Sequence, residues 1–160
     1  MKKVGIIFAI LAVVVVAVPL LTPQPSDKVQ IQNALKEAIK AGKEGRPGSA
    51  LELLSRNFSV NSETYGTGRN VAKFIKDAKP DIELASIEPL INGDTATIEG
   101  PATVSLSIPK ISAELSSIKL EFQKEDSKRW LIFPAHDWKL VNVMVPEDVV
   151  NQVASQFSGF

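Results

Sequence analysis

His136 and Asp137 stand side by side in the one stretch where this chain concentrates reactive side chains. An imidazole titrates near neutral pH and can act as a general base when a carboxylate orients it, so this pair is the candidate for proton transfer. Both tryptophans of the chain, Trp130 and Trp138, flank it, and Tyr65 is the single tyrosine. These three are the aromatic groups able to stack on a ligand while presenting a polar tip. A plainer reading stands beside each. Consecutive strand residues point to opposite faces, so His136 and Asp137 can cooperate only from a loop. In a turn, Asp137 would cap backbone N–H groups and His136 would be solvated. Indoles are commonly core or rim packing with the N–H satisfied.

Other chemistries are excluded or left without support. The chain has no cysteine, which removes disulfides, thiolate nucleophiles, cysteine zinc sites and the acylated residue of a lipoprotein leader. One histidine and no clustered Asp/Glu motif predict no metal site, and nothing predicts a cofactor. Gly66-Thr67-Gly68 is a lone Gly-x-Gly. Ser105, Ser107, Ser112, Ser116 and Ser117 have no nucleophile elbow around them, which argues against a serine hydrolase. Basic and acidic residues balance at 18 each, and without Lys2 and Lys3 the remainder is 16 against 18. Such a domain has no electrostatic reason to bind nucleic acid.

The elements that must position these residues divide the chain into three parts. Residues 1–21 form a membrane anchor or signal segment, 22–26 a Pro-rich tether, and 27–160 a folded domain long enough to bury a core. Lys2 and Lys3 precede an uncharged apolar run, Val4 to Leu21. At about 1.5 Å per residue the run spans roughly 27 Å, close to a hydrocarbon core of about 30 Å. The basic flank stays in the cytoplasm and sends the domain outward. Bulky residues and Pro19 occupy the place where a peptidase needs small ones, which favours an uncleaved anchor over a cleaved leader.

In the domain, Ile31, Ala34, Leu35, Ala38 and Ile39 share one face of a helix from about Asp27 to Ala41, with Ser26-Asp27 as cap chemistry and Gly42 as the stop. A short helix near Ser49 carries Leu51, Leu53, Leu54 and Phe58. A short strand over Phe58–Ser62 and a helix from about Arg69 to Ala78, with Val71, Phe74, Ile75 and Ala78 apolar, come next. From Asp81 the pattern alternates with period two. Asn92-Gly93-Asp94 predicts a hairpin, and Gly100-Pro101 predicts a bulge or kink in the strand Thr95–Ser107. The apolar residues change parity between Leu115 and Ile118, predicting a break at Ser116-Ser117. A polar turn at Glu125–Lys128 then separates two β-prone runs, and a third runs from Leu140 to Val145. Pro146-Glu147-Asp148 opens a terminal helix with Val149, Val150, Val153 and Phe157 on one side.

This order is α+β: N-terminal helices packed in the concave face of one curved, mostly antiparallel sheet. On Asn92-Gly93-Asp94 before Thr95-Ala96-Thr97-Ile98, and on Phe122, Lys124, Asp126, Trp130 and Ile132, the chain resembles the nuclear transport factor 2-like superfamily over Asp27 to Val145. That superfamily includes polyketide-cyclase-like and ketosteroid-isomerase-like members. The resemblance implies a cone whose open end holds a pocket used for catalysis, binding or dimerisation. Isomerase-like members use a tyrosine and aspartates inside the pocket, and no residue here matches those positions; Tyr65 falls in an expected loop. The expectation is an exported, membrane-anchored binding or assembly domain for a small molecule or protein partner. The alternatives are a small pocket enzyme (isomerase, dehydratase or hydrolase) with a general base in the cone, or a structural module dimerising through the sheet. Convergent ionisable side chains in the pocket would favour chemistry, and an apolar interior would favour binding.

Overall fold

The computed structural model describes residues 25–64, 67–108, 110–129 and 133–146. The expected anchor, most of the tether, the helix expected after Pro146, and both Tyr65 and Trp130 lie outside the described residues. No helix among the described residues is long and apolar enough to cross a membrane.

Helix α1 (Asp27–Lys43) buries Ile31, with no exposed surface, and Leu35 against the sheet, with Ala34, Ala38 and Ile39 packed alongside. Ser26 takes the N-cap position but makes no side-chain hydrogen bond to the helix, so the expected cap chemistry is absent. Gly42 does not stop the helix either. A Cβ there would lie 3.1 Å from the carbonyl oxygen of Pro80, so the glycine allows close approach of the chain crossing α1. The turn falls at Gly45, with φ of +67°. Helix α2 (Pro47–Glu52) starts with proline in its first turn, where a missing N–H is harmless. It ends earlier than expected: Leu54 and Phe58 belong to strand β1 (Leu54–Val60). The short β2 (Glu63–Thr64) and helix α3 (Arg69–Ala78) follow. Ile75 and Ala78 are buried as expected, but Phe74 is 45% exposed.

The sheet is mixed. Its strands are β3 (Asp81–Leu84), β4 (Leu90–Asn92), β5 (Thr95–Leu106), β6 (Ile111–Arg129) and β7 (Phe133–Met144), with β1 and β2. Spatial order is β2-β1-β7-β6-β5-β3, and β4 also pairs with β5. Only the β1–β7 pairing is parallel among those described. The expected hairpin turn sits between β4 and β5, where Asn92 pairs with Thr95 and Gly93 takes φ of +60°. The two bulges expected at Gly100-Pro101 and Ser116-Ser117 are one feature. Gly100 pairs with Ile118 and Ala102 with Leu115, so two residues of β6 face the single Pro101 of β5. That extra residue keeps Leu115 and Ile118 on the same concave face despite their opposite parity.

The expected polar turn at Glu125–Lys128 is overturned. Those residues are strand, pairing in unbroken register with Asp137 back to Pro134. Hence Pro134-Ala135-His136-Asp137 is strand too. Proline is tolerated because β1 pairs with β7 only from Leu140 to Val143, leaving Pro134 laddered on one side.

Candidate functional site

Cross-strand partners share a face of a sheet, so the register lists what looks inward at α1. From one end of the cone to the other these rows are Ile82 with Val104, Leu84 with Ala102 and Leu115, Ile98 with Leu120 and Val143, Phe122 with Leu140, Lys124 with Trp138, and Asp126 with His136. A second bulge, with Val141 opposite the step from Glu121 to Phe122, brings both Leu140 and Val143 inward. The concave face is therefore aliphatic for most of its length and polar at one end.

The aliphatic part encloses a cavity of about 250 Å³. Helix α1 contributes Leu35, Ala38, Ile39 and Gly42, α3 contributes Ile75, and the sheet contributes Leu84, Val104, Leu115, Ile118 and Val143, with Pro80 and Val145 at the chain's crossings. No polar or ionisable side chain lines it among the described residues. These residues were expected as core, not as a site. The available signal was the pair of small residues, Ala38 and Gly42, on the buried face of α1.

Below the cavity, Ile31, Phe122 and Trp138 close the cone, Phe122 being 1% and Trp138 4% exposed. At the rim beyond them, Asp27 accepts a 3.0 Å hydrogen bond from Trp138 Nε1 on Oδ1 and one of 3.0 Å from Lys124 Nζ on Oδ2. Lys124 Nζ also lies 5.1 Å from the Trp138 ring centroid, within cation–π reach. The Trp138 N–H, then Lys124, hold the Asp27 carboxyl below its ordinary value of 3.8. A carboxylate so held is a weak base. Its place is the first residue of α1, while the cavity begins at Leu35, about 12 Å farther along the axis at 1.5 Å per residue. The cluster clasps the helix to the sheet rather than facing the cavity.

The residues singled out in the sequence separate accordingly. His136 Nδ1 meets Asp126 Oδ1 at 3.0 Å, but both side chains are largely exposed, at 60% and 95%. Asp137 is the next residue of β7, pairs with Glu125 and belongs to the opposite face. The His136–Asp137 pair is thus not assembled, and the turn expected there is absent. Trp138 is a buried wall of the closed end.

A second polar group sits on the outer face. Asn142, 9% exposed, accepts from Ser59 Oγ at 2.9 Å and donates to Glu121 at 3.1 Å, joining β1, β7 and β6. Lys119, 2.9 Å away, and then Asn142 hold the Glu121 carboxyl below its ordinary 4.5.

No protein-family model matches this sequence, and no curated protein sequence matches it. Solved structures do. A nuclear transport factor 2-like protein of unknown function from Shewanella oneidensis MR-1 aligns at a TM-score of 0.53 and 14% identity, covering 76% of this chain and 98% of its own. A nuclear transport factor 2-like superfamily protein from Salmonella enterica serovar Typhimurium aligns at 0.51 and 14%, covering 74% and 89%. A conserved protein from Planctomyces limnophilus aligns at 0.52 and 12%, covering 74% and 94%. The fold is that of the nuclear transport factor 2-like proteins, with helices preceding a curved mixed sheet.

Proposed function

We propose that this chain is an exported binding module, anchored through residues 4–21, whose cone takes the hydrocarbon part of an apolar small molecule. The observation that carries the reading is the cavity of about 250 Å³ with no polar side chain among its described lining residues. An apolar cavity of about 150 Å³ stays dry and accepts benzene, so this one is large enough for a ligand. A polar group pushed inside would lose its hydrogen bonds to water without replacement, at about 1–3 kcal/mol each. The site therefore selects hydrocarbon. The enzyme alternative needs ionisable groups that converge on the bound molecule, and no ionisable side chain is among the described residues that line the cavity. The uncharged run Val4 to Leu21 behind Lys2 and Lys3 supports the anchored, outward orientation.

The test is binding of the fluorescent hydrocarbon probe N-phenylnaphthylamine to the full chain, with Ala38→Phe, which fills the cavity, as the blank for partition into lipid. A saturable signal present in the wild type and lost in Ala38→Phe is expected. Equal signals from the two folded proteins would sink the reading. Digestion of intact cells with an external protease should remove the domain if it lies outside the cytoplasm.

A further inference from the structure

Strand β1 departs from its ladder where it passes the cavity. Leu54 pairs with Leu140 of β7 and Ser59 with Asn142, so residues 55–58 have only Val141 opposite them. In a regular strand Leu54, Arg56 and Phe58 would share one face, and a guanidinium would point into a cavity lined by hydrocarbon. The bulge prevents this: Leu54 and Phe58 line the cavity and Arg56 is exposed. Ser55, 5% exposed, holds the distortion in place, its Oγ accepting from the Asn57 N–H at 3.3 Å. Past the bulge the strand is fixed again, Ser59 Oγ donating to Asn142 Oδ1 at 2.9 Å and the Asn61 N–H to the Val143 carbonyl at 2.9 Å.

Phe58 is the single aromatic side chain among the described lining residues, and it is only partly buried. It stands on a segment that has no cross-strand partner among the described pairings. Leu120, Leu140 and Val143 of the same wall are by contrast each paired to a strand on either side. Since a cavity of about 150 Å³ accepts benzene, one of about 250 Å³ takes by proportion a hydrocarbon of roughly ten carbons. We propose that Phe58 sets this limit: its ring is the stop against which the longest admitted chain ends, and Ser55 is the positioning residue that keeps the ring there. The inference rests on the proposed binding role and adds to it the size of ligand that the cavity selects.

The test is displacement of N-phenylnaphthylamine from the full chain by straight-chain alcohols from hexanol to tetradecanol, read as the ratio of variant to wild-type affinity at each length. Partition into lipid and water cancels in that ratio. For Phe58→Ala the ratio should be level up to about ten carbons and then rise about fourfold with each further CH₂, the value of burying one more methylene. For Phe58→Trp, which carries the test alone if the alanine variant does not fold, it should fall with length from a shorter chain onward. Ser55→Ala should raise the ratio for the longest alcohols by about fourfold in all, the room of one CH₂, and Ser55→Thr, which keeps the hydroxyl, should not. Ratios independent of length in the Phe58 variants overturn the inference. A less stable Ser55→Ala protein with unmoved length dependence overturns the positioning role of Ser55. Absence of probe binding to the wild type would sink the binding reading and this inference together, whereas binding with level ratios sinks the inference alone.

Discussion

Asp27→Ala should destabilise the domain by about 2–3 kcal/mol, chiefly through a hydrogen bond to an indole rather than through a charge. The Trp138 side chain is almost fully buried and its N–H donates to Asp27 at 3.0 Å. Without the carboxylate that buried donor is unpartnered, which costs about 1–3 kcal/mol. The ion pair with Lys124 is half-open to water, with side chains 22% and 38% exposed, and such pairs contribute only about 0.2–1 kcal/mol. Asp27→Asn keeps an acceptor for the indole and loses the ion pair, so it should cost about 1 kcal/mol or less. Urea unfolding of the full chain followed by tryptophan fluorescence measures both. For a domain of this size, a loss of about 2–3 kcal/mol corresponds to a fall in Tm of roughly 8–12 °C. A double-mutant cycle with Trp138→Phe should show coupling above about 0.5 kcal/mol. If the Ala and Asn variants are equally destabilised, or the coupling vanishes, the indole contact is not what holds α1. The pH dependence has a definite sign. The folded Asp27 carboxyl titrates below 3.8, so its contribution is complete above that pH and is lost as pH falls from there through the folded value. Asp27→Asn should remove this part of the acid limb.

His136→Ala should change stability by less than about 0.5 kcal/mol, because its pairing with Asp126 is solvent-exposed; probe affinity should also be unchanged, and a large loss of either would return this residue to the functional site. Leu35→Ala, at a buried position on the cavity wall, should cost about 2–5 kcal/mol by chemical denaturation. Asn142→Ala should cost about 1–2 kcal/mol through the loss of the Ser59 and Glu121 contacts. In an NMR titration of that variant the Glu121 carboxyl should rise toward 4.5 while staying below it, since Lys119 remains as the larger cause of its depression.

Features that depend on neighbours in the chain were legible in the sequence. The bounds of α3, the Asn-Gly turn and the parity change between Leu115 and Ile118 each follow from local backbone preference or from the period of a strand. The misreadings share one cause, which is support from distant residues. Glu125–Lys128 looks like a turn because it is charged. It is strand because it pairs in unbroken register with Pro134–Asp137. Leu54 and Phe58 looked helical on their spacing, but the parallel pairing of β1 with β7, more than 80 positions away, draws them into the sheet. Asp27 looked like a cap residue and is instead bound to Trp138 and Lys124, contacts that no local pattern announces.

The cavity itself has a cause that can be read along a single helix. On the buried face of α1, Ile31 and Leu35 stand toward the closed end, and the small residues Ala38 and Gly42 line the cavity beside Ile39 toward the other. The first two fill the space above Phe122 and Trp138. Gly42 draws the chain at Pro80 close to the helix, and Ala38 leaves the gap between the helix and Leu84, Val104 and Leu115 unfilled. The sheet cannot collapse into that gap, because the bulge opposite Pro101 and the one at Val141 fix which residues point inward and the strands bend as laddered units. The polar clasp at Asp27 then holds one end of α1, Ala41 and Gly42 pack the other against Ala50, Ile75 and Pro80, and the cavity lies between. A domain selected only for stability would gain by placing Leu at position 38, since filling such a void contributes favourable contacts. The small residues there, together with a wall that has no polar side chain among its described residues, are what support the proposed binding role over packing alone.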